Sequence, residues 1–182
     1  MQTIIEIKYA LEKETGKLFD VLDAINDDDY IQKQHKGKWN AAQQVEHLTI
    51  SNGMTTLVFR TPQTVCKFVF PENLRGNKSY DEVVKQYQHA LQAGAKSSFA
   101  YQPKVNAIMN KSRSLSLWRS SSKWLTSAIS SWDENSMDAW LLPHPILGKI
   151  TPRELLFFSV YHIQHHRKSI MSMYTIDNSL IH

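Results

Sequence analysis

Cysteine occurs once, at Cys66, in a chain of 182 residues. One thiol excludes an internal disulfide framework and fits a reducing compartment. With no base or metal partner beside it in sequence, Cys66 reads as a small buried hydrophobe. No run of about 18 apolar residues is present to cross a bilayer. The opening MQTIIEIKYALEKE carries charge too early for a signal peptide, so the expected location is the cytoplasm, with no membrane partner. Acidic residues are missing from positions 83–132, where Lys85, Lys96, Lys104, Lys111, Arg113, Arg119 and Lys123 lie scattered. These charges form no dense cluster and no recognisable nucleic-acid-binding motif. They read as a solvated basic face, and no nucleic-acid partner is expected. Strand-length alternation and internal repeats are also missing, which leaves helices to build the core.

What is present is helical periodicity in a length suited to a single domain, 1–182. Ile4, Ile7, Leu11, Leu18, Leu22 and Ile25 recur at three-to-four spacing and predict a helix over about 3–26. The NDDD stretch at 26–29 should end it, and a polar loop should lead to Trp39. Asn40 with Gln43 forms a capping-box pair, opening a second helix whose expected inward stripe is Gln43, His47, Ile50, Met54 and Leu57. That helix should stop near Pro62, and residues 62–78 read as a long connection. Ser79 and Glu82 make another capping box, starting a helix to about residue 100. A fourth helix carries Leu115, Trp118, Leu125, Ile129 and Trp132 inward and a serine-rich face outward (Ser114, Ser116, Ser120, Ser121, Ser127, Ser130). Thr151, Pro152 and Glu154 give an N-cap, a first-turn proline and the returning carboxylate of a last helix over about 152–175. The expected fold is all-α: a bundle of four long helices with one shorter addition.

Three of the eight histidines fall in YHIQHHRKSI at 161–170. His162 and His166, four apart, share one face of the last helix, on the stripe Leu155, Phe158, His162, His166, Ile170 and Met173. His47 lies on the seam of the second helix. A core imidazole needs a hydrogen-bond partner or a metal to offset its desolvation. Facing seams of a bundle are a usual place to assemble metal ligands, and three nitrogens leave a coordination position open for chemistry. Gln43 reads as a cap with the pocket as its alternative. Glu46, Tyr161 and Ser159 are possible pocket neighbours, and His144 and His89 are non-ligands.

KWNAAQQVEHL at 38–48 resembles the W-(S/T/N)-x-x-(E/Q)-x-x-x-H-L segment of the DinB-like superfamily. HPILGKITPRELLFFSVYHIQHHRKSI at 144–170 resembles its H-P-x-x-G-x-(L/I)-T stretch and closing H-x-x-H-H. The resemblance implies a four-helix bundle, frequently a homodimer, holding a divalent metal through His47, His162 and His166. His165 is then not a ligand. Family members often carry Gly-Gln one residue after the histidine pair; here Lys168 and Ser169 stand instead, which puts any role of that glutamine in doubt. Trp118 and Trp140 are weak candidates for the exposed aromatic surface of a dimer.

Three imidazoles suit zinc, nickel, copper or iron, with zinc and nickel ranked first. Such an ion polarises a bound group or holds a thiolate. The resemblance implies a hydrolase or a thiol-dependent transferase acting on a small molecule, with a low-molecular-weight thiol as candidate cosubstrate. The alternative is a non-catalytic bundle serving as a stress-associated or interaction protein. No residue is assigned a catalytic role from sequence.

Overall fold

The computed structural model describes residues 1–32, 38–103 and 110–174. Four long helices, α1 (Ile4–Asp23), α3 (Ala41–Arg60), α6 (Lys111–Ile129) and α7 (Pro152–Tyr174), form the bundle. Helix α1 packs on α6 and α7, and α3 packs on the same two, so the cyclic order is α1, α6, α3, α7. The shorter α5 (Tyr80–Gln92) lies outside, against α7. Short helices α2 (Asp27–Ile31) and α4 (Gln63–Val69) punctuate the connections, with 3-10 turns at Phe99–Tyr101 and Ser136–Asp138.

Caps mark the helix starts where the sequence places them. Reciprocal side-chain and backbone bonds join Asn40 to Gln43 and Ser79 to Glu82. Thr151 and Glu154 exchange the same pair of bonds at the start of α7. Each pair satisfies donors that a first helical turn otherwise leaves open. Glu154 does more. Its side chain is fully buried, accepts from both terminal nitrogens of Arg75 at 2.8 and 2.5 Å, and takes the Lys78 backbone N–H at 2.8 Å. Burial alone would raise its pKa, but Arg75 and these N–H groups hold the carboxyl below its ordinary range. The result anchors α7 two turns before His162.

Four expectations are corrected. The NDDD stretch does not merely end α1: Asn26 caps α2, whose first turn holds three aspartates at the positive end of the helix dipole. The third predicted helix stops at Gln92, and the 62–78 connection contains α4. Before α7 the chain forms a two-stranded hairpin, β1 (Leu142–His144) with β2 (Gly148–Ile150). Strands of three residues are too short to register as alternation. Gly148 supplies the positive φ of 71° in its turn.

The inward faces also differ in two places. On α3 Met54 and Leu57 are exposed, and the buried face runs through Gln44, Val45, Leu48, Ser51, Asn52, Thr55 and Thr56. On α6 Ser114 and Ser121 are buried rather than solvent-facing. Small side chains let α3 and α6 pack closely, and their hydroxyls are satisfied within reach. Ser121 donates to the Trp118 carbonyl at 2.8 Å, and Thr56 to the Asn52 carbonyl at 2.7 Å. Ser114 and the Tyr30 hydroxyl share a bond of 2.8 Å. Trp118 is fully buried, so it forms no dimer surface, and Trp140 stands half-buried edge-on to Trp132. Cys66 is buried as expected. Of the basic run, Arg119 lies over the Phe19 ring at 4.8 Å and Lys111 donates to the Ile25 carbonyl. Lys104 lies outside the described residues. No described helix is long and apolar enough to cross a membrane.

Candidate metal centre

Helix α7 places His162 one turn before His166, and α3 brings His47 to meet them from across the core. All three are buried. His162 Nε2 lies 3.0 Å from His47 Nε2 and 3.1 Å from His166 Nε2. The three candidate ligand atoms fall within 4.8 Å of one another, and no other residue joins this group among those described. Nitrogens bound to one first-row ion at about 2.0–2.1 Å stand roughly 3 Å apart when the angle between bonds is near 90°. The two spacings about His162 therefore suit a shared ion.

The outer nitrogens decide the protonation of the inner ones. His47 Nδ1 is 2.6 Å from the Tyr101 carbonyl, which can only accept, so Nδ1 carries the proton. Gln44 donates from its amide nitrogen to the Trp39 carbonyl at 3.1 Å, which turns its oxygen to His166 Nδ1 at 2.9 Å. His166 Nδ1 is thus also the donor. Both rings present an Nε2 lone pair inward. His162 has at most one proton to offer there, so at least one buried lone pair lacks a full partner. A cation at the shared focus satisfies all three, and the donor set fits a divalent metal ion.

Electrostatics favour the same form. Burial pushes His162 and His166 well below the ordinary imidazole pKa, and their histidine neighbours push in the same direction. Burial lowers His47 as well, against the Tyr101 bond that opposes it. Neutral imidazole, the ligating form, is therefore the state at pH 7. Rings on either side fix the orientations. Phe158 stacks on His162 at 4.8 Å and 24°, and Trp39 leans on His47 at 5.0 Å.

A cavity of about 600 Å³ opens beside the cluster. Its wall is partly aromatic, with Trp39, Tyr87, Tyr101 and Phe158, and its lining includes Lys38 and Lys96. No aspartate or glutamate lines it among the described residues. Three imidazoles and an adjoining space this size could hold an ion and a second molecule together.

His47, His162 and His166 meet where the sequence places them. His165 stands outside the trio, its ring 5.9 Å from Tyr87. His89 is exposed on α5. Gln43 caps α3 and does not reach the pocket; its neighbour Gln44 does. Glu46, Tyr161 and Ser159 do not line the cavity. Tyr161 accepts from Gln88, and Ser159 bonds the Leu155 carbonyl. Sequence reasoning missed three contributors. Gln44 had a signal, since it precedes His47 by three residues on one helix face. The Tyr101 carbonyl had none, being backbone. His144, a non-ligand, nevertheless stands in the cavity wall.

Comparison with known proteins supports the architecture. The crystal structure of TT2238, described as a four-helix bundle protein, superposes with a TM-score of 0.60 at 18% identity, covering 93% of this chain and 99% of that one. At that identity the likeness establishes the fold alone. Among curated proteins none matches the chain. The model of the DinB superfamily matches residues 10–170, a span holding all three converging histidines. With the bundle, the paired motifs and this match in agreement, the chain belongs to the DinB superfamily.

Proposed function

We propose that the protein is a divalent-metal-dependent enzyme that holds its ion through the Nε2 atoms of His47, His162 and His166 and acts on a small molecule as a thiol-dependent transferase. One observation carries the metal assignment: two inward lone pairs, set by Tyr101 and Gln44, converge on a third buried imidazole nitrogen. Such an ion, when bound, acts as a Lewis acid and as a site for a thiolate.

The wall, free of carboxylates among the described residues, favours the transferase over the hydrolase. Metal hydrolases with a helical histidine pair commonly use a nearby carboxylate to take the proton from water. None lines this cavity among the described residues. A thiol would need no such base, because a bound divalent ion would favour its thiolate form, with the proton released to solvent. The chain's own residues then bind and shield. Phe158 and Trp39 exclude water from the ligand rings, and Gln44 and Tyr101 hold those rings in the ligating tautomer.

Elemental analysis of protein purified without a histidine tag tests the centre, with an expected content near one divalent ion per chain. His47→Ala and His166→Ala should each abolish it. Substoichiometric metal that ignores both substitutions would refute the enzyme and leave a helical bundle of another role. With metal present, a screen of low-molecular-weight thiols with electrophilic acceptors separates transferase from hydrolase. Turnover that needs no thiol would overturn the transferase reading.

A further inference from the structure

His144 is the last residue of β1 and leads into the hairpin turn. Its Nδ1 accepts two backbone N–H groups of its own turn, Ile146 at 3.2 Å and Leu147 at 3.1 Å. A nitrogen that accepts cannot carry the ring proton of a neutral imidazole, so that proton sits on Nε2. Burial keeps the ring neutral, lowering its pKa to about 4. The Phe158 ring, 4.5 Å away, packs against it and limits its rotation. The opposite edge of the imidazole, with Nε2–H, has no hydrogen-bond partner among the described residues. It is also not among the side-chain atoms sealed without one. His144 lines the same cavity as the three converging histidines. The turn therefore fixes a neutral donor in the wall of the site.

The rest of the lining points to what that donor meets. Lys38 and Lys96 bring positive charge, no carboxylate lines the cavity among the described residues, and Tyr87, Phe158 and Leu91 offer an apolar surface. Such a lining suits an anion with an apolar body.

We propose that the cavity takes a small organic carboxylate and that His144 donates from Nε2 to one of its oxygens, positioning it beside the histidine cluster. This deepens the reading of the cavity as the substrate site and rests on it. The donor itself is set by the hairpin turn and does not depend on an ion.

The probe is benzoate, titrated calorimetrically into zinc-treated protein and into protein stripped with a chelator, with benzyl alcohol as the uncharged control. Long-range proton–nitrogen NMR of histidine-labelled protein reads the His144 tautomer directly. The test variant is His144→Asn. Its side-chain oxygen can still accept the Ile146 and Leu147 N–H groups, but it has no donor at the position of Nε2. The expected results are an Nε2–H tautomer at pH 7 and benzoate binding stronger than benzyl alcohol. Benzoate affinity should fall roughly tenfold or more in His144→Asn, with zinc content unchanged. An Nδ1–H tautomer overturns the proposal, as does undetectable benzoate binding or equal affinity in wild type and variant. Loss of folding in the variant would show in its dispersion of amide signals, and the wild-type tautomer and the benzoate preference would then decide. Protein that takes up no zinc sinks the metal reading alone, since stripped protein still reports the tautomer and the benzoate preference.

Discussion

Replacing Gln44 by leucine tests the reasoning about the centre at its most specific point. Gln44 is only 3% exposed, and its amide links the Trp39 carbonyl to His166 Nδ1 across bonds of 3.1 and 2.9 Å. Leucine has nearly the same volume, so packing changes little. The His166 N–H, however, loses its acceptor inside the core. A buried donor left unpaired costs about 1–3 kcal/mol. The ring can avoid that cost by moving its proton to Nε2, where the other imidazoles lie. That tautomer folds but cannot ligate. Removing an outer partner of this kind lowers metal affinity by about 10–100-fold, equivalent to about 1.4–2.7 kcal/mol. Competition against a chromophoric chelator at pH 7 measures the change, and histidine nitrogen NMR of metal-free protein reports where the proton sits. Gln44→Glu, which supplies a stronger acceptor, should keep or raise zinc affinity. If Gln44→Leu binds zinc as tightly as wild type while His166→Ala does not bind it, the tautomer argument is wrong.

Arg75→Met strands the buried Glu154 carboxylate. Because the Arg75 side chain is 31% exposed, the loss should sit at the low end for such pairs, about 3 kcal/mol, or a fall in Tm of about 6–12 °C by circular dichroism; an unchanged Tm would contradict the anchoring role. Acid should destabilise the metal-free protein. His144 has its pKa lowered to about 4, and His47, His162 and His166 are lowered too. Below the unfolded value of about 6.5 the unfolded chain takes up protons that the native fold resists, so stability is unaffected above it and declines below it. For His144 alone the loss on reaching pH 4 is roughly 3 kcal/mol; urea midpoints that do not move between pH 7 and pH 4 would refute this. Gly94, just past α5, has φ of 90° with nothing within 4 Å of an added Cβ. Gly94→Ala should cost about 1–2 kcal/mol through backbone conformation alone, read as a lower urea midpoint with an unaltered slope.

The features legible in sequence were the local ones. Asn40 with Gln43, Ser79 with Glu82 and Thr151 with Glu154 lie three residues apart, and each pair closes its own bonds whatever the rest of the chain does. The His162–His166 pair was legible for the same reason, since the helix itself sets its geometry. Faces chosen by apolar stripes fared worse where the packing is polar. On α3, Ile50, Met54 and Leu57 outweigh Ser51, Asn52 and Thr55 in hydropathy, yet the small polar residues are the buried ones: Asn52 reaches Ser122 of α6, and Ser51 and Thr55 line the cavity. There a neighbouring helix and the cavity, both tertiary features, override the amphipathic pattern. The partners of the histidines were hidden by distance along the chain: Tyr101 meets His47 across 54 positions and Gln44 meets His166 across 122. Nothing local to any of these residues announces the pairing.

The bond from His47 to the Tyr101 carbonyl has a consequence beyond orienting one ring. It fastens the turn at Phe99–Tyr101, between α5 and α6, directly to the candidate centre. Seating of that turn and retention of an ion thereby become a single linked equilibrium, and linkage is reciprocal. Any molecule that presses the turn down would slow escape of the ion, and loading the ion would in return brace one side of the entrance through which that molecule came.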